Sequence, residues 1–147
     1  MTTTTLTNGP DSFGGGNGED IIYGLEGNDT IRGGNGDDQL FGGAGNDRTG
    51  GGNGKDVLTS GQGFDYLWGG NGCDTFEFKH VDRIGKDTIG DFDQGEDQIF
   101  VNVADFDFGD VTQLTVGDDV FVTVEHGIKD IQFKVVGVTA LTEADFV

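Results

Sequence analysis

The chain has 147 residues, 29 of them glycine and one proline, and 27 acidic residues stand against 8 basic ones for a net charge of −19. That length is one domain, and the acidic balance excludes a nucleic-acid binder, which needs a basic footprint, and disfavours an anionic membrane surface. A single proline excludes collagen and proline-rich linkers, while 12 phenylalanines and many Val and Ile argue for a packed core. The N-terminal stretch Met1–Pro10 has neither a basic region nor an apolar run, so it is no cleavable signal peptide. No apolar run approaches the 18 or more residues of a membrane span. The one cysteine, Cys73, precludes an internal disulfide and is expected as a solvent-facing free thiol or a dimer-forming one.

From Gly15 the chain reads in nines: GGNGEDIIY, GLEGNDTIR, GGNGDDQLF, GGAGNDRTG, GGNGKDVLT, SGQGFDYLW and GGNGCDTFE, unbroken over 63 residues. Position 6 is always aspartate: Asp20, Asp29, Asp38, Asp47, Asp56, Asp65 and Asp74. Position 4 is always glycine: Gly18, Gly27, Gly36, Gly45, Gly54, Gly63 and Gly72. Position 8 is Ile22, Ile31, Leu40, Thr49, Leu58, Leu67 and Phe76. One unit earlier, LTNGPDSFG from Leu6 keeps Gly9, Asp11 and Phe13 in phase and reads as a degenerate cap, which beside Met1 favours a complete small protein.

Glycines at positions 1, 2 and 4 permit a turn whose carbonyl oxygens point at one spot, and the aspartate adds a charged oxygen. The next three residues alternate out, in, out, as a short strand does. Two units then complete one coil of a parallel roll, and turns n and n+2 stack about 4.8 Å apart. Aspartates about 5 Å apart repel by about 0.8 kcal/mol in water and about 3 kcal/mol at an effective dielectric of 20. One inward side chain per unit returns only about 1.5–3 kcal/mol, against about 9–18 kcal/mol of backbone entropy for nine residues. A hard cation with oxygen ligands solves both problems. Calcium, with 6–8 oxygens in loose geometry, fits better than magnesium or zinc.

This GGxGxDxUx repeat resembles the nonapeptide of the RTX (repeats-in-toxin) calcium-binding proteins over residues 6–78. The resemblance implies an all-β fold: a right-handed parallel β-roll over residues 1–78 and a β-rich cap over 79–147. It implies that each ion sits between turns n and n+2, held by carbonyls of positions 1, 3 and 5 of one turn and of positions 2 and 4 of the other. The residues so marked are Gly15, Gly16, Asn17 and Gly18; Gly27; Gly33, Gly34, Asn35, Gly36 and Asp37; Gly42, Gly43, Gly45 and Asn46; Gly51, Gly52, Asn53 and Gly54; Gly69, Gly70 and Gly72, with the seven aspartates completing the shell. Five Ca2+ are expected, at the pairs Asp20/Asp38, Asp29/Asp47, Asp38/Asp56, Asp47/Asp65 and Asp56/Asp74, with Asp11/Asp29 as a sixth candidate. Thr49 thins the core, and Leu25 and Ser60 replace turn glycines.

From Lys79 the nonapeptide is expected to stop, since only 7 of the 29 glycines lie beyond it. The run from Asp87-Thr88-Ile89 through Asp91-Phe92 and Gly95 to Asp97 and Ile99 is similar to the segment that follows RTX repeats. Leu114–Val116 and Val120–Val124 read as a hairpin, Ile131–Val138 as a strand and Leu141–Val147 as one helical turn. The Asp145-Phe146-Val147 terminus resembles the uncleaved signal read by type I secretion exporters. Asp91, Asp93, Asp97 and the Asp105-Phe106-Asp107 cluster form either an extra ion site or an exposed loop.

No HExxH, GxSxG or CxxC is present, and His80 and His126 are the only histidines. The outward residues of one sheet include Arg32, Arg48, Tyr66 and Trp68, which suit an acidic polysaccharide through guanidinium–carboxylate pairing and ring stacking, or simply pack under the tail. The opposite sheet turns Ile21, Tyr23, Phe41 and Val57 outward, and the tail is expected to cover that apolar strip. The chain therefore reads as a secreted, extracellular, non-enzymatic calcium-binding protein without a cleavable signal. The alternative is the C-terminal module of a larger secreted protease, lipase or epimerase.

Overall fold

The computed structural model describes residues 1–79, 86–102, 107–125 and 131–147. The chain winds into two facing β-sheets. Thr2–Thr5 (β1), Asp20–Tyr23 (β3), Gln39–Ala44 (β5), Val57–Gln62 (β7), Thr75–Lys79 (β9) and Gln98–Asn102 (β11) form a six-stranded sheet in that order. Ser12–Asn17 (β2), Thr30–Asn35 (β4), Arg48–Asn53 (β6), Tyr66–Asn71 (β8), Asp87–Ile89 (β10), Ile131–Val136 (β14), Asp119–Val124 (β13) and Val111–Val116 (β12) form an eight-stranded one. From β1 to β11 successive strands alternate between the sheets, so each coil of the repeat region takes two nonapeptides. Ile22 pairs with Leu40, Leu40 with Leu58, and Ile31 with Thr49, all in parallel.

Every position-8 residue from Ile22 to Phe76, Thr49 included, is fully buried between the sheets. The leading glycines are needed for two separate reasons. Gly34 and Gly52, at position 2, have φ of 121° and 125°, a region that side chains avoid. Leu25 takes the same role at φ 75°, with its side chain in solvent. Position 1 needs glycine for space, as the site geometry shows below.

The full nonapeptide stops at Lys79 as expected, but half of it recurs in the tail. Gly85-Lys86-Asp87-Thr88-Ile89 and Gly95-Glu96-Asp97-Gln98-Ile99 repeat its G-x-D-x-U half. Ile89 pairs with Leu67 and Ile99 with Phe76, both fully buried. The tail thus continues the stack end-on. Among the described residues the tail strands do not lie over the Tyr23–Phe41 strip, as the sequence suggested they would. Tyr23 remains 38 % exposed, stacked on Phe41 with ring centroids 4.8 Å apart, and the Lys79 ammonium lies 5.4 Å from the Phe41 centroid. The rings shield one another, while the tail's own apolar residues close the open end of the roll. Phe92 packs on Phe76, and Phe133 stacks on Phe78 at 4.3 Å.

The expected hairpin forms between β12 and β13, with Gly117 at φ 68° in its turn. The final residues make a 3-10 turn, Glu143–Asp145, after which Val147 N–H donates to the Ile99 carbonyl. At the other end, the degenerate unit is in register, Phe13 facing Ile31. Thr2–Thr5 adds a strand that the sequence reading did not anticipate.

Candidate metal centre

The position-6 aspartates stack into two ladders. In one, the Asp20 N–H donates to Asp38 Oδ1 at 2.7 Å, Asp38 to Asp56 at 2.8 Å and Asp56 to Asp74 at 2.9 Å. In the other, Asp29 donates to Asp47 and Asp47 to Asp65, each at 2.8 Å. Both ladders run on into the tail: Asp65 N–H reaches Asp87 Oδ1 at 3.0 Å, and Asp74 N–H reaches Asp97 Oδ1 at 2.9 Å. One oxygen of each interior carboxylate therefore holds the turn one coil before it in register.

The other oxygen is orphaned. Oδ2 of Asp20, Asp29, Asp38, Asp47, Asp56 and Asp74 is buried without a hydrogen-bond partner, in residues at most 3 % exposed. Removing a carboxylate oxygen from water without a partner is costly. Burial accordingly pushes the Asp56 carboxyl up to about 7 and those of Asp47 and Asp74 to about 6, and raises Asp38. Neighbouring aspartates add to the rise, and the backbone N–H bonds oppose it.

The space around each orphan has a defined lining. A methyl group on Gly15 would lie 2.5 Å from Asp20 Oδ2 and 2.7 Å from the Gly33 carbonyl oxygen. The position-1 carbonyl of turn n+2 thus converges with the carboxylate of turn n, and only glycine leaves room between them. The same convergence recurs at Gly24 with Asp29 and the Gly42 carbonyl, at Gly33 with Asp38 and Gly51, at Gly42 with Asp47 and Ser60, and at Gly51 with Asp56 and Gly69. Ser60 keeps its carbonyl in place although its glycine is gone. Carbonyls of positions 2 and 4 point the other way along the stack: Gly16 O toward Gly34, and Gly18 O toward Gly36. Position-3 carbonyls are already engaged, since Gly36 N–H donates to Asn53 O at 2.8 Å and Gly54 N–H to Asn71 O at 2.9 Å.

Among the described residues no three Asp, Glu, His or Cys side chains gather around one point. A cation in these cradles would therefore draw mainly on backbone carbonyls plus one carboxylate, a hard-oxygen set that suits calcium. The donor chemistry fits the ion implied by the sequence.

The outermost carboxylates differ. Asp11 Oδ2 accepts the Thr7 N–H at 2.8 Å and the Thr7 hydroxyl at 2.7 Å, which hold its carboxyl below the usual range. Asp97 Oδ2 accepts the Asp93 N–H at 2.9 Å. The chain's own donors occupy at both ends what is left open inside. Of the other acidic candidates, Asp105 and Phe106 lie outside the described residues, as do His80 and His126. Asp107 Oδ1 accepts the Gly109 N–H at 2.9 Å. Cys73 is exposed and free.

Two side-chain ladders outside the core escaped sequence reasoning. Amide groups of Asn17, Asn35, Asn53 and Asn71 bond in series at 2.7–2.8 Å. At position 5, Asn28 Oδ1 accepts the Asn46 N–H and Asp37 Oδ1 the Lys55 N–H, each at 2.8 Å. Asparagine recurring at a fixed nine- or eighteen-residue spacing was the available signal.

The structure gathers the proposed basic face. Arg32, Gly50 and Trp68 are in register, and the indole lies across Gly50 so that the Arg32 guanidinium carbon is 5.9 Å from its ring centroid. Tyr66 is tilted against Trp68 at 6.0 Å and pairs in register with Arg48. Farther along the same sheet, a groove of about 310 Å³ is lined by Lys86, Thr88, Phe121, Gln132 and Lys134.

Comparison with known proteins agrees with this geometry. The RTX calcium-binding nonapeptide repeat, in four copies, matches residues 14–48 and 50–78. No curated protein matches the chain in sequence. Among solved structures, the AlgE6R3 subunit of Azotobacter vinelandii mannuronan C5-epimerase is similar at 26 % identity over 97 % of this chain and 80 % of its own, with a TM-score of 0.53. The AlgE6R2 subunit of that epimerase is similar in fold, at 23 % identity over 94 % and 91 %, with a TM-score of 0.50.

Proposed function

We propose, on the premise that residues 14–48 and 50–78 are RTX calcium-binding nonapeptide repeats, that this chain is a secreted, non-enzymatic module whose roll folds on binding five calcium ions. The observation that carries the reading is the row of buried carboxylate oxygens without partners, each beside a convergent carbonyl. Bound calcium supplies the positive charge and the oxygen coordination that each cradle otherwise lacks. Asp20, Asp29, Asp38, Asp47 and Asp56 supply the charged oxygen, and Gly33, Gly42, Gly51, Ser60 and Gly69 the facing carbonyl. The Asp11/Asp29 pair is left out because Thr7 already holds Asp11.

The same cradles repel when empty, so the unfolded chain is favoured where calcium is scarce. That condition suits passage through a type I exporter. In the fold, Phe146 is buried and Asp145 accepts the Thr142 N–H and hydroxyl and the Gln94 amide. An exporter that reads the last residues would meet them only before folding.

A second reading is favoured by the similarity to the two AlgE6 subunits: the chain serves as an accessory module of a larger secreted enzyme and docks an acidic polysaccharide on Arg32, Arg48, Tyr66 and Trp68. The two readings are compatible, because the turns and the sheet face are separate surfaces. Native mass spectrometry in calcium tests the first. At least five ions are expected, and three or fewer would overturn the pairing.

A further inference from the structure

We propose that another calcium ion lies where the last regular turn, 69–74, meets the tail, between Asp74 and Asp91. The inference rests on the reading that the interior cradles hold calcium and extends it to a turn pair whose upper turn lacks the leading glycines.

The lower half of this position is built like the five regular cradles. Asp74 is 1 % exposed and its Oδ2 has no partner, while a methyl group on Gly69 would collide with that oxygen. Asp74 N–H is fixed by Asp97 Oδ1 at 2.9 Å, so the Asp97 carboxylate stands one coil above it, as in every interior pair.

The upper half is new. The strand offset rises from 18 residues in the roll to 23 here, and Asp91 falls in the added length. Its side chain turns back onto the same glycine: Gly69 N–H donates to Asp91 Oδ1 at 2.8 Å and Gly70 N–H to Asp91 Oδ2 at 3.0 Å. Asp74 and Asp91 therefore bracket Gly69, the residue whose missing Cβ makes the cradle. A capped loop alone would satisfy the two N–H groups, yet it would leave the buried Asp74 oxygen unmatched and add negative charge beside it. A cation balances both.

The site differs from the others in charge. Asp91 brings a second charged side chain to it, where a regular cradle combines one orphaned carboxylate oxygen with neutral carbonyls. Calcium affinity rises with the number of charged ligands, so this position fills first as calcium rises. It also places the first ion at the junction of the roll and its apolar cap.

The test uses the full chain. Native mass spectrometry of the calcium-saturated protein is expected to show six ions for the wild type and five for Asp91→Asn, which keeps an acceptor for Gly69 and removes the charge. Glu96→Gln, a neighbouring charge outside the cradle, should retain six. Equal counts in wild type and Asp91→Asn would overturn the inference. A crystal structure of the wild-type chain grown with calcium needs no variant. Anomalous density against Asp74 Oδ2 supports the proposal. Density in the five regular cradles and none there overturns it while leaving the proposed function standing, and density in none overturns both.

Discussion

Thr49→Val is the sharpest test of how the roll is held together. Thr49 occupies the inward position between Ile31 and Leu67, is fully buried, and its hydroxyl has no hydrogen-bond partner. A hydroxyl buried without compensation costs about 1–3 kcal/mol. Valine has nearly the same shape and β-branching, so the exchange removes that cost without opening a cavity. A gain of about 2 kcal/mol is expected, or about 4–8 °C in Tm at this chain length. Thr49→Ser is the opposing control: it keeps the orphan hydroxyl, deletes a packed methyl, and should lose about 1 kcal/mol. Thermal unfolding of the calcium-saturated protein, followed by far-UV circular dichroism, reads both. A Thr49→Val midpoint equal to or below wild type would refute the reasoning, because the hydroxyl would then have a partner or the layer would not be packed.

Protons should substitute in part for calcium. Asp47, Asp56 and Asp74 titrate near 6 to 7 in the fold without metal, against about 3.9 for an unperturbed aspartate. The fold thus binds more protons than the unfolded chain between those values, so their contribution to metal-free stability is fully present below about pH 4 and is lost as pH rises through about 7. In calcium-depleted buffer the β signal should be stronger at pH 4.5 than at pH 7.5, and the calcium needed for half-folding should fall as pH falls from 7 to 5. A half-folding calcium concentration that does not change over that range would contradict the orphaned-carboxylate picture. For the polysaccharide face, the Arg48→Ala, Trp68→Ala double variant should lose binding to a carboxylated glycan in a sedimentation or chip assay while keeping its calcium count. Binding that survives both changes would place any glycan elsewhere.

The repeats were legible because glycine, aspartate and an aliphatic residue recur in one phase. That phase fixes the turn, the ladder and the inward position together, and Ile22 through Phe76 all proved buried as the spacing required. The tail was less legible for a physical reason. Its two further G-x-D-x-U units lack the leading glycines, with Phe92 and Asp93 standing where two glycines open a regular turn, and the ladder offset shifts from 18 residues to 22 and then 23. A search for the full nonapeptide misses them, and only the ladder bonds of Asp87 and Asp97 reveal their register. The fate of the Tyr23–Phe41 strip was equally hidden. Alternation shows that these rings face outward, but not that they stack on each other under Lys79 and need no cover. Thr2–Thr5 has no hydrophobic alternation at all, and its strand exists because Asp20 and its neighbours offer an edge.

The central claim is that the roll is conditional on calcium. Extracellular calcium modules bind with Kd of about 10⁻⁴–10⁻³ M, and at ten times Kd each site contributes about 1.4 kcal/mol. Five sites then supply about 7 kcal/mol, the scale of a whole domain's stability, and the contribution vanishes far below Kd while the burial cost of the aspartates remains. Far-UV circular dichroism of the full chain at pH 7.5, titrated with calcium from excess chelator, reads this directly. The account predicts a disordered spectrum in chelator and a cooperative gain of β signal in the submillimolar to millimolar range. A native β spectrum that persists in excess chelator would show the roll to be preformed and would contradict the account.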